Sequence, residues 1–191
     1  ACSIAAEGYV RECGRMAAVC ITTGPGGTNA ITGVLGAYQD NYPMLVISGQ
    51  VRYPTTAEST GLPLRFMGEQ EHDIVTTVKN LTKYAVMIKR PEDVLYELEK
   101  AMYIADSGRP GPVWIDVPMD IQSMVIDTDT LRVFNKPEPY RSWDMEAVLS
   151  EIKKAKRPVI LTGSAIRSTG YTEKFRQLAA KMGLPVLAAT Y

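Results

Sequence analysis

The stretch AAVCITTGPGGTN, residues 17–29, decides the fold. Its first part, Ala17 to Thr23, is a short apolar run suited to a buried parallel strand. Cys20, inside that run, reads as an inert small apolar residue rather than a nucleophile. Gly24 to Asn29 is dense in backbone breakers and reads as a turn. Ala30 to Gln39 follows as a helix of small and apolar residues able to lie close to a sheet. A strand, a glycine turn and a helix in that order present a ligand position beyond the strand's carboxyl end, with glycines permitting close backbone approach and the helix N-terminus supplying donors. No Lys-Ser/Thr follows the turn, and it is not Gly-x-Gly-x-x-Gly, so phosphate-loop and dinucleotide readings are weak. A tight structural turn explains the loop alone about equally well.

Outward from this stretch the pattern repeats. Ser3 to Glu12 reads as a helix closed by Gly14. PMLVIS, residues 43–48, is a second buried strand running into Gly49-Gln50. Arg52 to Gly68 is long and irregular, as functional or mobile loops are. Asp73 to Asn80 is expected as a short helix, YAVMI at 84–88 as a strand, and VWIDV at 113–117 as another. Pro91-Glu92-Asp93 opens a helix with apolar residues at helical spacing that ends by Gly108. Strands alternating with helices predict an α/β fold, a parallel sheet flanked by helices. Residues 127–142, with Pro137 and Pro139 and no clear period, read as a linker. A helix from Asp144 to Ala155, capped by Asp144, a strand at 158–162, a helix from Tyr171 to Met182 and a strand at 186–189 predict a partial second α/β domain. The expected division is therefore 1–126, 127–142 and 143–191. The first residues already read as helix and the last as an uncapped strand, so the chain is expected to be part of a longer one.

The chain has 191 residues, with 21 Lys plus Arg against 21 Asp plus Glu, so no net charge draws it to nucleic acid or to a membrane surface. Apolar runs are strand-sized, too short to span a bilayer. Cys2, Cys13 and Cys20 are sparse and odd in number, which points to reduced thiols in a cytoplasmic setting. With His72 the single histidine and no Cys-x-x-Cys pair, a zinc site is not expected.

Other motifs have bland readings that weigh against chemical ones. Arg109, within SGRPGP at 107–112, stands at a strand entrance where its planar fork suits phosphate or carboxylate, although a surface arginine in a turn explains it more simply. Gln70-Glu71-His72-Asp73 resembles an acid–base cluster, but neighbouring residues point apart, and a solvated or capping segment is favoured. Asp40, at a helix-to-strand turn, reads as structural.

The segments AAEGY (5–9), TGPGGTN (23–29), Asp40-x-x-Pro43 with Ser48-Gly49-Gln50, Gln70-Glu71, Thr82-Lys83-Tyr84 and SGRPGPVWIDVP (107–118) occur in that order. Together they resemble the pyrimidine-binding domain of the acetolactate synthase (acetohydroxyacid synthase) family of thiamine-diphosphate enzymes, strongly over residues 1–122. Residues 143–191, with RPVILTGS, are similar to the first part of that family's central domain. The resemblance implies a transferase of branched-chain amino acid biosynthesis. It would decarboxylate a pyruvate-like 2-keto acid and ligate the two-carbon unit to a second carbonyl compound. It also implies thiamine diphosphate with magnesium, FAD in some members, and a cytoplasmic homodimer or homotetramer. Pro25, Gly26, Asn29 and Gln50 are implied near the cofactor, Gln70 in the substrate pocket, and Arg109 at FAD. The family's catalytic glutamate is expected just before Ala1, about two helical turns from Glu7, so no catalytic residue is expected in the chain itself. The family's diphosphate and magnesium motif, Gly-Asp-Gly, does not occur here, so the segment alone is expected to lack catalysis. Two places depart from the synthase pattern: Gly49-Gln50-Val51-Arg52 where Gly-Gln-Val-Pro is usual, and Pro118-Met119-Asp120 where Pro-Lys-Asp is usual. These departures leave open a related decarboxylase or carboligase with another substrate. A non-catalytic structural descendant and an unrelated nucleotide-binding module remain as further alternatives.

Overall fold

The structure is a computed structural model that describes residues 1–138 and 142–189. Two compact units are present, Ala1–Lys136 and Pro137–Tyr191. The first contains helices α1 (Cys2–Cys13), α2 (Pro25–Gln39), α3 (Ala57–Thr60), α4 (Ile74–Val78), α5 (Val94–Asp106) and α6 (Met119–Gln122), and strands β1 (Ala17–Ile21), β2 (Met44–Gln50), β3 (Tyr84–Met87) and β4 (Pro112–Pro118). The strands form one parallel sheet in the order β1-β2-β4-β3, as the alternation of elements predicts.

The two central strands are apolar because both of their faces are covered. Side chains alternate across the sheet. Met44, Val46 and Trp114 join Ala6, Val10, Val34 and Ile74 beneath α1, α2 and α4. Leu45, Val113 and Ile115 pack with Ala101 and Ala105 of α5 on the other side. β1 is an edge strand, and here the expectation of a fully buried strand is corrected. Ala17 and Val19 are buried, whereas Ala18 and Cys20 are exposed. α5 packs over β2, β3 and β4, leaving that face of β1 open. Cys20 is thus an exposed thiol, not a buried one.

The glycine turn is also corrected. Gly24 is the N-cap, with φ 54°, and the helix begins at Pro25, so residues 25–29 are its first turns. Proline suits a helix's first turn, where its missing N–H is no loss. α2 crosses α1 closely: a Cβ on Gly33 would lie 2.5 Å from the backbone carbon of Ser3, and one on Gly36 would lie 2.6 Å from a Glu7 carboxylate oxygen. Glu7 also pairs with Arg11, which reaches Asp40, so Glu7 and Asp40 hold helix ends together.

Residues 52–68 include a 3-10 turn at Tyr53–Thr55 and the short α3. Glu71 gathers this loop, accepting N–H bonds from Ala57 at 2.6 Å, Met67 at 2.7 Å and Gly68 at 3.0 Å. Within the stretch expected as a linker, residues 131–134 lie along α5. Arg132 pairs with Asp93 and stacks 3.6 Å from the Tyr96 ring centroid. The Phe134 ring sits against Tyr96 and Tyr103, while its N–H donates to Glu99. Pro139, also read as linker, lies outside the described residues.

The second unit holds α7 (Met145–Lys154), β5 (Ile160–Thr162), α8 (Ala165–Ser168), α9 (Thr172–Met182) and β6 (Val186–Ala188), with β5 and β6 parallel. Asp144 caps α7 through the Ala147 N–H at 2.8 Å, and Gly183 closes α9 at φ 64°. Leu161 and Leu187 stand exposed. Among the described residues no helix is long and apolar enough to cross a membrane.

Two glycine substitutions separate the roles of backbone freedom and close packing. Gly8, inside α1, has open space around a Cβ, so Gly8→Ala should stabilise the chain by about 0.5–1 kcal/mol. Gly33→Ala should destabilise it by about 1–3 kcal/mol, because the backbone of α1 must move. Denaturant unfolding of both variants checks the opposite signs.

Candidate functional site

Parallel strands deliver their last residues to one edge of the sheet: Ile21 from β1, Ser48 to Gln50 from β2, and Val117 from β4. Between them opens a cleft of about 840 Å³. Ile21, Ile47, Val117 and Met119 make its walls largely apolar, Thr23 and Gln50 add polar atoms, and among the described residues Arg52 is the one cationic side chain lining it. The carboxyl edge of an open α/β sheet is where such folds hold ligands. A second cleft of about 520 Å³ adjoins it, lined by Gln50, Thr56, Leu62, Arg65 and His72 among others. Gln50 lines both.

A buried chain of polar groups stands behind this edge. Asp116 of β4 and Ser48 of β2 are register partners in the sheet, and both are buried. The Trp114 indole N–H donates to Ser48 Oγ at 2.8 Å, and the Ser48 hydroxyl donates to Asp116 Oδ1. The Gln50 amide donates to Asp116 Oδ2 at 3.0 Å and to the His72 carbonyl at 2.9 Å. Gln50 Oε1 accepts from Thr23 Oγ1 at 2.8 Å and from the Val51 N–H at 2.9 Å. Both donors and both lone pairs of the Gln50 amide are therefore engaged. Burial pushes the Asp116 carboxyl up to about 6, against the opposing pull of hydrogen bonds from Ser48 and Gln50; the negative charge of Asp73 adds to the rise.

The sequence-predicted residues do not all meet here. Gln50 lies in the cleft wall. Pro25 and Asn29 are exposed on the first turns of α2, and Gly26 is half-buried. A Cβ at Gly24 would sit 2.2 Å from the Gln70 carbonyl oxygen, and one at Gly26 would sit 2.6 Å from Thr22 Cγ2. The glycines thus let the turn close on its neighbours. Gln70 is exposed with φ 61°, and Glu69, not Gln70, lines the main cleft. His72 meets Thr77 and Asp73 caps α4, so this polar run is a clasp and a cap, as the bland reading has it. Arg109 precedes β4, at the amino end of the sheet, while Gln50 is at the carboxyl end. A strand of seven residues separates these ends by about 20 Å. Arg109 bonds Asn41 and lines a separate small cleft of about 280 Å³ with Tyr38 and Lys83.

Sequence reading missed Asp116, Ser48 and Thr23. The signal for Asp116 was present in VWIDV, where one carboxylate interrupts an apolar buried strand. An ionisable residue there has to find partners. Among the described residues no group of three or more His, Cys, Asp or Glu could hold a metal ion.

The raised Asp116 carboxyl has a stability consequence whose sign is unusual for an aspartate. Between its ordinary value of 3.8 and about 6, the unfolded chain has lost the proton that the folded chain still holds. The contribution to stability is therefore full below pH ~4 and is lost as pH rises through about 6, on the order of 3 kcal/mol in total. The difference in unfolding free energy between the natural chain and Asp116→Asn should fall by roughly that amount from pH 4 to 7. A flat difference would show that the carboxyl is not desolvated.

Residues 1–76 match the family model for the thiamine pyrophosphate enzyme, N-terminal TPP binding domain, and residues 145–191 match that for the thiamine pyrophosphate enzyme, central domain. The acetolactate synthase large subunit of Buchnera aphidicola subsp. Schizaphis graminum is 36% identical over 188 residues, covering 95% of this chain and 32% of that protein. The acetolactate synthase large subunit of Lactococcus lactis is 34% identical over 188 residues, covering 96% of this chain and 31% of that protein. The acetolactate synthase isozyme 3 large subunit of Escherichia coli is 32% identical over 191 residues, covering 96% and 32% respectively. The chain spans about a third of the length of these curated relatives. With both family models matched in order and the parallel sheet presenting its cleft where a ligand belongs, the chain belongs to the thiamine pyrophosphate enzyme family.

Proposed function

We propose that the full-length protein carrying this chain is a thiamine-diphosphate-dependent carboligase that decarboxylates a 2-keto acid such as pyruvate and joins the two-carbon unit to a second carbonyl compound, as the relatives' name, acetolactate synthase, describes. The observation that carries this reading is the largely apolar cleft at the carboxyl edge of β1, β2 and β4, built from the segment that matches the cofactor-binding model. The cleft fits the ring end of the cofactor. It is roomy enough for a heteroaromatic ring, and a Cβ on Gly49 would meet Gln122 Nε2 at 3.4 Å and little else. It does not suit a diphosphate with magnesium, because among the described residues Arg52 is the one cation and Glu69 the one carboxylate lining it; we assign those groups to another segment of the full-length protein.

Thiamine diphosphate supplies the electron sink for loss of carbon dioxide from a 2-keto acid. The residues of this chain bind and orient. Ile21, Ile47 and Val117 would exclude water from a ring held in the cleft, and Gln50, held rigid, would form its wall. Pro25, Gly26 and Asn29, which are not among the residues lining the cleft, are assigned to the cofactor side at the start of α2. We assign Gln70 to the substrate side. Arg109 is assigned to FAD, where a cleft of about 280 Å³ accommodates one group of the flavin rather than the whole. The full-length protein on this reading is a cytoplasmic homo-oligomer in branched-chain amino acid biosynthesis.

A second reading, a carboligase with a different acceptor, is favoured by Arg52 and Met119. Both line the cleft, and both stand where the sequence departs from the synthase pattern. Incubating the full-length protein with pyruvate, thiamine diphosphate and magnesium should release carbon dioxide and yield acetolactate. Decarboxylation without acetolactate, with product appearing only on adding another aldehyde or ketone, selects the second reading. No decarboxylation of any 2-keto acid sinks both.

Gly49→Leu should fold, since its Cβ would make only ordinary contacts, with Gln122 Nε2 at 3.4 Å and the Ile21 carbonyl oxygen at 4.0 Å. It should weaken thiamine diphosphate binding by roughly tenfold or more by filling the ring position. Calorimetric titration of the full-length variant measures this.

A further inference from the structure

We infer that Thr23 is a specificity-determining residue of this cleft, its Oγ1 presented as a hydrogen-bond acceptor to an N–H group of the ligand. The inference rests on the proposal that the cleft holds the ring end of thiamine diphosphate.

Two backbone groups fix the Gln50 amide. The His72 carbonyl can only accept, and the Val51 N–H can only donate. Gln50 Nε2 lies 2.9 Å from the first, and Gln50 Oε1 lies 2.9 Å from the second. Flipping the amide would set N–H against N–H and oxygen against oxygen at once. Asp116, reached by the same Nε2 at 3.0 Å, reinforces the same orientation. With Oε1 so placed, the Thr23 hydroxyl 2.8 Å away has one role available: its proton points at Gln50. A hydroxyl has a single proton and two lone pairs. Its proton spent, Thr23 Oγ1 offers the cleft lone pairs only.

Thr23 lines the main cleft. The saturated Gln50 amide has nothing left to give a ligand, whereas Thr23 Oγ1 beside it keeps its lone pairs; Thr22, Arg52, Glu69 and Gln122 also line the cleft. The pyrimidine ring of thiamine diphosphate carries an exocyclic amino group, a donor. An analogue with oxygen at that position presents an acceptor instead. The wall should distinguish the two by chemistry rather than by shape, because a polar group left facing a like group is costly.

The test uses the full-length protein with magnesium and two probes, thiamine diphosphate and its analogue bearing oxygen in place of the pyrimidine amino group, each titrated calorimetrically. Thr23→Val keeps the shape and removes the hydroxyl, while Gln50 Oε1 retains the Val51 N–H. Thr23→Ser keeps the hydroxyl. The expected result is a roughly tenfold weaker Kd of Thr23→Val for thiamine diphosphate, a change below about threefold for the oxygen analogue, and near-natural affinities for Thr23→Ser. Equal losses for both probes, no loss for either, or a Thr23→Ser that behaves like Thr23→Val would overturn the inference while leaving the cofactor reading intact. A natural full-length protein that binds neither probe overturns the cofactor reading and the inference with it.

Discussion

A carboxylate buried between two strands constrains the working edge of this protein. Asp116 sits in the middle of a parallel sheet, opposite Ser48, with no exposed surface. A bare charge there would be prohibitive; hydrogen bonds from Ser48 and Gln50 make it tolerable. Meeting that need fixes the Gln50 amide, which ties β2 to the His72 backbone ahead of α4 and to Thr23 at the end of β1. One desolvated group thereby locks three strands and a loop into a single arrangement. The cleft's polar rim inherits its geometry from this arrangement, a form of preorganisation that costs nothing when a ligand arrives.

The same sheet separates what the family resemblance groups together. Residues implied at the cofactor and the arginine implied at the flavin come from motifs that all belong to one domain, yet parallel strands carry them to opposite ends. Gln50 closes β2 and Arg109 leads into β4. Gln50 and Arg109 thus line separate clefts on two edges of this domain, joined through the packed strands and not through a shared pocket.

Much of the fold was legible because both faces of β2 and β4 are covered, so the sequence there is continuously apolar and bounded by glycine and proline. The strand over Ala17 to Ile21 misled for the same reason. AAVCI is apolar enough for a core, but small residues also suit an edge, and nothing local tells which neighbour lies beyond. The start of α2 was obscured by its glycines, which ordinarily break helices; here Gly26 and Gly27 let the helix press on Thr22 and Ile74. Of the site, Gln50 could be picked out from its motif, whereas Asp116 and Ser48 become partners only once the register of β2 and β4 is known. Thr23 gains its meaning from a hydrogen-bond direction set by two backbone groups far away in sequence, and no linear pattern encodes that.

The clasp of residues 131–134 on α5 has a mechanical meaning. Arg132 and Phe134 grip Asp93, Tyr96, Glu99 and Tyr103, downstream of β4 and α6 in the chain. The segment up to Phe134 is fastened by stacked rings, an ion pair and a backbone bond, so it behaves as a riveted strap of the first unit and not as a free tether.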